Sequence, residues 1–155
     1  MSTRLAHDPT ACKASRHERV QHLITADEHS LAELQALIAT LPICSTGRVF
    51  IEVPDAEWIG RIDAPARMTV TWLDRSRRSG TPGTGRTCVP GQALTRAVTG
   101  WADEMLCEEA ARATRIHLLG GYLGTADIFD HLTGALGFDA DGIGTPARFG
   151  LAAAR

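Results

Sequence analysis

The chain has 155 residues, 44% of them apolar and 22% charged, with a formal net charge of −2; this is the composition of one ordinary globular domain, and it excludes the basic footprint of a nucleic-acid or anionic-membrane binder. Aromatic residues make up only 5%, too few for a base-stacking surface. Cys12, Cys44, Cys88 and Cys107 form no C-x-x-C pair and no apolar run approaches the ~18 residues of a membrane span, so a soluble cytoplasmic protein with free thiols, and with neither nucleic-acid nor membrane partners, is expected.

Residues 1–17 mix Arg, Lys, His, Pro and Ser without periodicity and read as a flexible lead-in, with order beginning near Glu18 and one domain running over 18–155. "VQHLIT" (20–25) suits a short strand. From Ser30, the positions Leu31, Leu34, Ile38 and Leu41 fall on one helical stripe, which Pro42 closes. "GRVFIEV" (47–53) and "MTVTWL" (68–73) are β-branched runs bounded by Gly, Pro and Asp, and both read as strands. A helical region follows Gly91, with Leu94, Val98, Trp101 and Met105 at helical spacing and Gly100 as a point of division. "RIHLLGG" (115–121) reads as a fourth strand, followed by a helix carrying Ile128, Phe129, Leu132 and Leu136. "DGIGTPARFG" is poor strand sequence, so a fifth strand there has the least support.

Strands separated by crossovers too long for hairpins point to a parallel sheet with helices on both faces. With right-handed crossovers this is an α/β, Rossmann-like three-layer domain of about five strands in the order 3-2-1-4-5.

Several stretches could carry chemistry. "GTPGTGRT" (80–87) fits the phosphate-binding P-loop pattern except for Arg86 in the lysine position. "DRSRRS" separates it from the preceding strand and Pro90-Gly91 interrupts any helix that begins at Thr87, so a flexible loop is the expected outcome. Arg75, Arg77, Arg78 and Arg86 gather positive charge past the third strand, where open α/β sheets bind ligands. Recognition of an anion such as the 2′-phosphate of NADPH and a merely solvated loop both stay open.

At the first strand-to-helix corner, "SLAE" (30–33) has the form of a capping box that gives Ser30 a structural task. Asp27 and Glu28 precede the helix, where carboxylates interact favourably with its dipole by ~0.3–1 kcal/mol. A phosphate close to them would be repelled by ~4 kcal/mol per charge pair at about 4 Å. It could bind there only with compensation from arginine and from the amides of His29, Ser30 and Leu31. Gly120 and Gly121 after the fourth strand allow close approach of backbone and ligand or serve as ordinary turn glycines, and Tyr122 could stack on a ring.

Taken together, "TADEHSLAEL", "LIATLP", "GRVFIEV" and "MTVTWLDR" resemble, in order and spacing, the C-terminal NAD(P)H-binding domain of the siderophore-interacting proteins, flavin-dependent ferric-siderophore reductases. Ala26 stands where that family has a glycine before the Asp-Glu pair. "HLLGGY" keeps the family's glycine as Gly120 and replaces its acidic residue by Gly121, and "PARFG" keeps Arg148 and Gly150 of the closing motif without its tryptophan. The resemblance implies that Asp27, Glu28 and Ser30 shape the nucleotide-facing turn, that Glu52 lies at the ligand edge, and that Arg75, with Arg77 beside it, meets the nucleotide phosphate. It implies NADP or NAD as cofactor, with FAD only through a flavin-domain protein acting in trans, because 17 lead-in residues cannot form a flavin barrel. Such a chain alone should not reduce a ferric siderophore, since nicotinamide delivers hydride and Fe(III) accepts single electrons. The alternative is an interaction module without nucleotide binding, forming a homodimer.

Overall fold

Residues 20–151 are described by the structure, a computed structural model; the lead-in and Cys12 lie outside them. Five strands, β1 (Gln21–Asp27), β2 (Thr46–Val53), β3 (Arg67–Asp74), β4 (Thr114–Leu118) and β5 (Ile143–Gly144), form one sheet in the order β3-β2-β1-β4-β5. Every pairing is parallel. The crossovers carry α1 (Leu31–Ile38), α2 (Gln92–Met105), the short α3 (Glu108–Arg112) and α4 (Tyr122–Asp130).

Strand periodicity sorts the core into two layers. Leu23, Phe50, Leu73, Ile116 and Leu118 face Leu94, Val98 and Ala102 of α2 and Ile128 and Phe129 of α4. The neighbouring positions Ile24, Ala26, Val49, Ile51 and Val53 point the other way, onto Leu34 and Ile38 of α1. The central strands are apolar on both faces because helices cover both, as parallel sheets require.

Local details depart from the sequence reading. Helix α1 stops at Ile38, and Leu41 packs against its cluster from the turn that follows. Gly100 does not divide α2, since it sits on an exposed part of a continuous helix where nothing crowds it. Strand β4 ends at Leu118, so Leu119 to Gly121 form the turn into α4 rather than more strand. Helix α4 runs on into a π-helical turn (His131–Ala135), with the Leu136 amide donating to the His131 carbonyl at 3.3 Å. Strand β5 exists but has two residues. The 80–87 segment is a loop closed by a Ser79–Thr87 bridge; it neither leaves a strand directly nor enters a helix, which removes the P-loop geometry.

One strand position is unusual. His22 is 4% exposed on the α1 side of β1, and its Nδ1 has no hydrogen-bond partner. Its ring lies 6.2 Å from that of His117 on β4, at 18°. Burial, then the nearby charges of His117 and Arg115, lower its pKa from 6.5 to about 4, and burial followed by Arg115 lowers that of His117. The unfolded chain therefore binds protons that the folded chain refuses, and stability falls as pH drops from 6.5 towards about 4. Urea denaturation at stepped pH should show a loss of roughly 1–3 kcal/mol over that window, and His22→Leu should reduce it, leaving the part that His117 contributes.

Candidate functional site

At the carboxyl edge of the sheet, the ends of β1, β2 and β3 each contribute a charged side chain to one cluster. Arg75 opens the 3-10 turn (Arg75–Arg77) that follows β3. Its Nη2 donates to Glu28 Oε1 at 2.7 Å, and its Nη1 donates to Glu28 Oε2 at 3.2 Å and to Glu52 Oε1 at 2.9 Å. The side chains of Arg75, Glu28 and Glu52 are only 11%, 9% and 1% exposed. Guanidinium has the planar fork that two carboxylates can share, which an ammonium lacks.

Glu52 has a second role. Its Oε1 accepts from the Gly91 amide and its Oε2 from the Leu94 amide, both at 2.7 Å. A carboxylate from β2 thus caps α2 from outside the helix, satisfying two of its unpaired donors and complementing its dipole. Gly91 is required there by its φ of 88° and by contact, because a Cβ would stand 2.9 Å from the Gly124 amide nitrogen at the start of α4. The two helix starts touch through backbone.

Burial, the largest single influence on Glu28, opposes its ionisation, but the hydrogen bonds and charge of Arg75, a backbone hydrogen bond and the nearby His29 together outweigh it and hold the carboxyl below the usual range. The Glu28 hydrogen bond, against the cost of burial and with help from Glu52, holds Arg75 firmly protonated. Nearby, the Ser76 hydroxyl and amide donate to Asp74 Oδ1 at 2.6 and 2.9 Å, and the hydroxyl's bond is the main reason the Asp74 carboxyl is also held low.

The first corner differs from a capping box. Ser30 Oγ turns back towards β1, accepting from the Asp27 amide at 2.9 Å and donating to Asp27 Oδ1 at 3.1 Å, and makes no cap to the helix. Pairing with β4 ends at Thr25, and the Asp27 amide finds its acceptor, Ser30 Oγ, in the turn. The His29 amide donates to Asp27 Oδ1 and the Ser30 amide to the Asp27 carbonyl; two of the three amides expected as ligand donors are already engaged. Nor do Asp27 and Glu28 serve chiefly as partners of the α1 dipole: Asp27 fixes the turn, and Glu28 belongs to the Arg75 cluster.

Of the residues singled out from sequence, Asp27, Glu28, Glu52, Arg75, Gly121 and Tyr122 line a single cleft of about 240 Å³ together with His29, Pro90, Gly91, Leu94, Leu123 and Gly124. It opens between β1 and β4, where the strand order reverses and open α/β sheets hold ligands. Gly121 keeps the wall open, since a Cβ there would lie 3.1 Å from Asp27 Oδ2. Gly120 sits against Leu94 Cδ2 and does not line the cleft. Ser30 is buried and acts through Asp27. Arg148 reaches this edge indirectly: its guanidinium lies 4.8 Å over the Phe149 ring, which meets Tyr122 edge to face at 5.4 Å.

Arg77 is elsewhere. With Arg78, Arg86 and Arg96 it lines a groove of about 720 Å³ formed by the 76–87 loop. Arg96, which the sequence did not single out, fastens that loop to α2 by donating to the Ser79 and Gly80 carbonyls at 2.7 and 2.9 Å. Gly91 and Gly124 were also missed, although Pro90-Gly91 ahead of an apolar helix was a signal for a special turn. A further hollow of about 410 Å³, by Arg112–His117, lies at the opposite end of the strands. Among the described residues no group of three His, Cys, Asp or Glu side chains could hold a metal ion, and no helix is long and apolar enough to cross a membrane.

A five-stranded parallel sheet with helices on both faces and a cleft at its switch point is a Rossmann-like domain. The siderophore-interacting protein family model matches residues 20–119, and the chain belongs to that family. Three solved structures share the fold: the siderophore-interacting protein SipS from Aeromonas hydrophila (TM-score 0.59, 16% identity), a siderophore utilization protein from T. fusca (0.60, 22%) and the siderophore-interacting protein from Acinetobacter baumannii (0.58, 8%). The alignments cover 82%, 83% and 84% of this chain and 44%, 44% and 46% of theirs, so the chain spans less than half the length of these relatives. Comparison with curated protein sequences finds no significant match.

Because Arg75 is shared between two buried carboxylates, Arg75→Met should lower unfolding free energy by about 3–5 kcal/mol in chemical denaturation. Arg75→Lys should recover only part of that loss, and Glu28→Gln added to Arg75→Met should recover some by removing one stranded charge.

Proposed function

We propose that this domain binds NAD(P)H as a component of a ferric-siderophore reductase system and passes hydride to a flavin carried by a partner protein. The observation that carries this reading is the cleft at the β1/β4 switch point, with Gly121 and Gly124 in its wall and half-exposed Tyr122 at its rim. Membership of the family supplies the chemical context. Iron reduction needs single electrons whereas nicotinamide gives a hydride, and a flavin converts one into the other.

In this reading the nicotinamide end occupies the cleft and the phosphorylated end extends towards the arginine groove past β3. Arg75 supports the cleft wall, because both faces of its guanidinium fork are engaged by Glu28 and Glu52. Phosphate contact passes to Arg77, Arg78 and Arg86, which are exposed. Calorimetry with the full chain should give saturable binding of NADPH or NADH below millimolar. If the 2′-phosphate is held in the groove, a combined Arg77→Ala and Arg78→Ala variant should weaken NADPH by roughly tenfold or more and leave NADH nearly unchanged.

One observation favours a second reading. Arg75, the cleft's arginine, is neutralised within the protein, as expected of a domain that has given up anion binding and serves as an interaction module or homodimer. Absence of saturable nucleotide binding, together with a stable assembly in light scattering, would select it.

A further inference from the structure

The walls of the cleft carry an unbalanced charge. Asp27, Glu28 and Glu52 contribute three carboxylates and Arg75 one guanidinium. The start of α2, a source of partial positive charge, is covered by Glu52 through the Gly91 and Leu94 amides. At the start of α1, the His29 and Ser30 amides are turned onto Asp27. The start of α4 at Gly121 has no side-chain cap and offsets about half a charge. His29, at the rim, lies 3.7 Å from Glu28 and is 83% exposed, so solvent screens whatever charge it carries.

Asp27 is the acid best placed to act on a guest. Its Oδ1 is held by the His29 amide and the Ser30 hydroxyl, which fixes the carboxylate in orientation. Its Oδ2 faces Gly121 across the cleft, 3.1 Å from where a side chain would begin. The missing side chain leaves that oxygen open to a ligand.

We infer that the cleft discriminates by ring charge, holding the oxidised, cationic nicotinamide more tightly than the neutral dihydronicotinamide. This rests on the reading of the cleft as the nicotinamide site and adds a direction to it. When the C4–H bond breaks, hydrogen and both bonding electrons leave together for the partner's flavin, which is reduced, and the nicotinamide ring is oxidised and becomes positive. Walls of net negative charge stabilise that product state over the starting state, favouring donation of hydride over its return. Ligand phosphates are disfavoured beside the same walls and belong in the arginine groove.

With one to two net negative charges about 6 Å away in a partly solvated cleft, the expected preference is roughly tenfold. Two probes without phosphates isolate the effect: N1-methylnicotinamide, a cation, and nicotinamide, its neutral counterpart, titrated at millimolar concentration into the full chain and followed by NMR at the Gly121 and Tyr122 amides. The cation should bind roughly tenfold more tightly, the gap should shrink with added salt, and Asp27→Asn should narrow the ratio of the two affinities. Equal affinities, or a preference for the neutral ring, would overturn this inference and leave nicotinamide binding intact. No shift at these amides with either probe would overturn both. The dispersion of the Asp27→Asn spectrum shows whether that variant is folded, and the salt dependence of the unmodified chain decides the question if it is not.

Discussion

A single guanidinium held between two buried carboxylates organises the functional edge of this domain. Glu28 is the residue after β1, Glu52 comes from β2 and Arg75 is the residue after β3, and Glu52 continues the chain of contacts to the first turn of α2. Burying these groups is expensive, and the cluster is tolerable only because each charge meets its opposite with near-ideal geometry. Its contribution is positional: it locks three strand ends and one helix start together. Contact between Gly91 and Gly124 then brings the start of α4 to the same place.

This arrangement divides the work of the positive residues. Arg75 cannot serve both as the keystone of the cluster and as a free receptor for an anion. In the 76–87 loop Arg78 and Arg86 are exposed and Arg77, also exposed, lies 3.6 Å from Asp74 Oδ2, while Arg96 holds that loop against α2. The result is two adjoining regions of opposite character, a negative cleft at the switch point and a positive groove beyond β3. A dinucleotide, whose phosphates lie at one part and whose redox ring lies at another, is the kind of ligand whose ends such a surface can tell apart.

The strand order was legible in the sequence because β-branched runs such as "GRVFIEV" and "MTVTWL" stand between Gly and Pro punctuation, and because long crossovers allow few alternatives. The cleft acids were legible as strand-end residues. Their partnerships were not, since Arg75 is 47 residues from Glu28 and 23 from Glu52 and no local pattern records such a pairing. "SLAE" misled because a local motif competed with a tertiary demand: the strand-end amide of Asp27 took the serine hydroxyl that the helix was expected to use. Gly91 and Gly124 escaped notice because backbone contact between two helix starts is a property of the assembled fold, not of either segment. The buried His22 likewise gave no sign in a strand sequence where histidine is ordinarily a surface residue.

The division between a negative cleft and a positive groove predicts where a dinucleotide meets this surface. Amide chemical-shift mapping of the full chain with NADPH tests it directly. The expected result is saturable shifts that cluster at Gly91, Gly121 and Tyr122 in the cleft and at Arg77 and Arg78 in the groove. Shifts confined to the opposite end of the strands, around Arg112 to His117, or no saturable shifts at all, would contradict it.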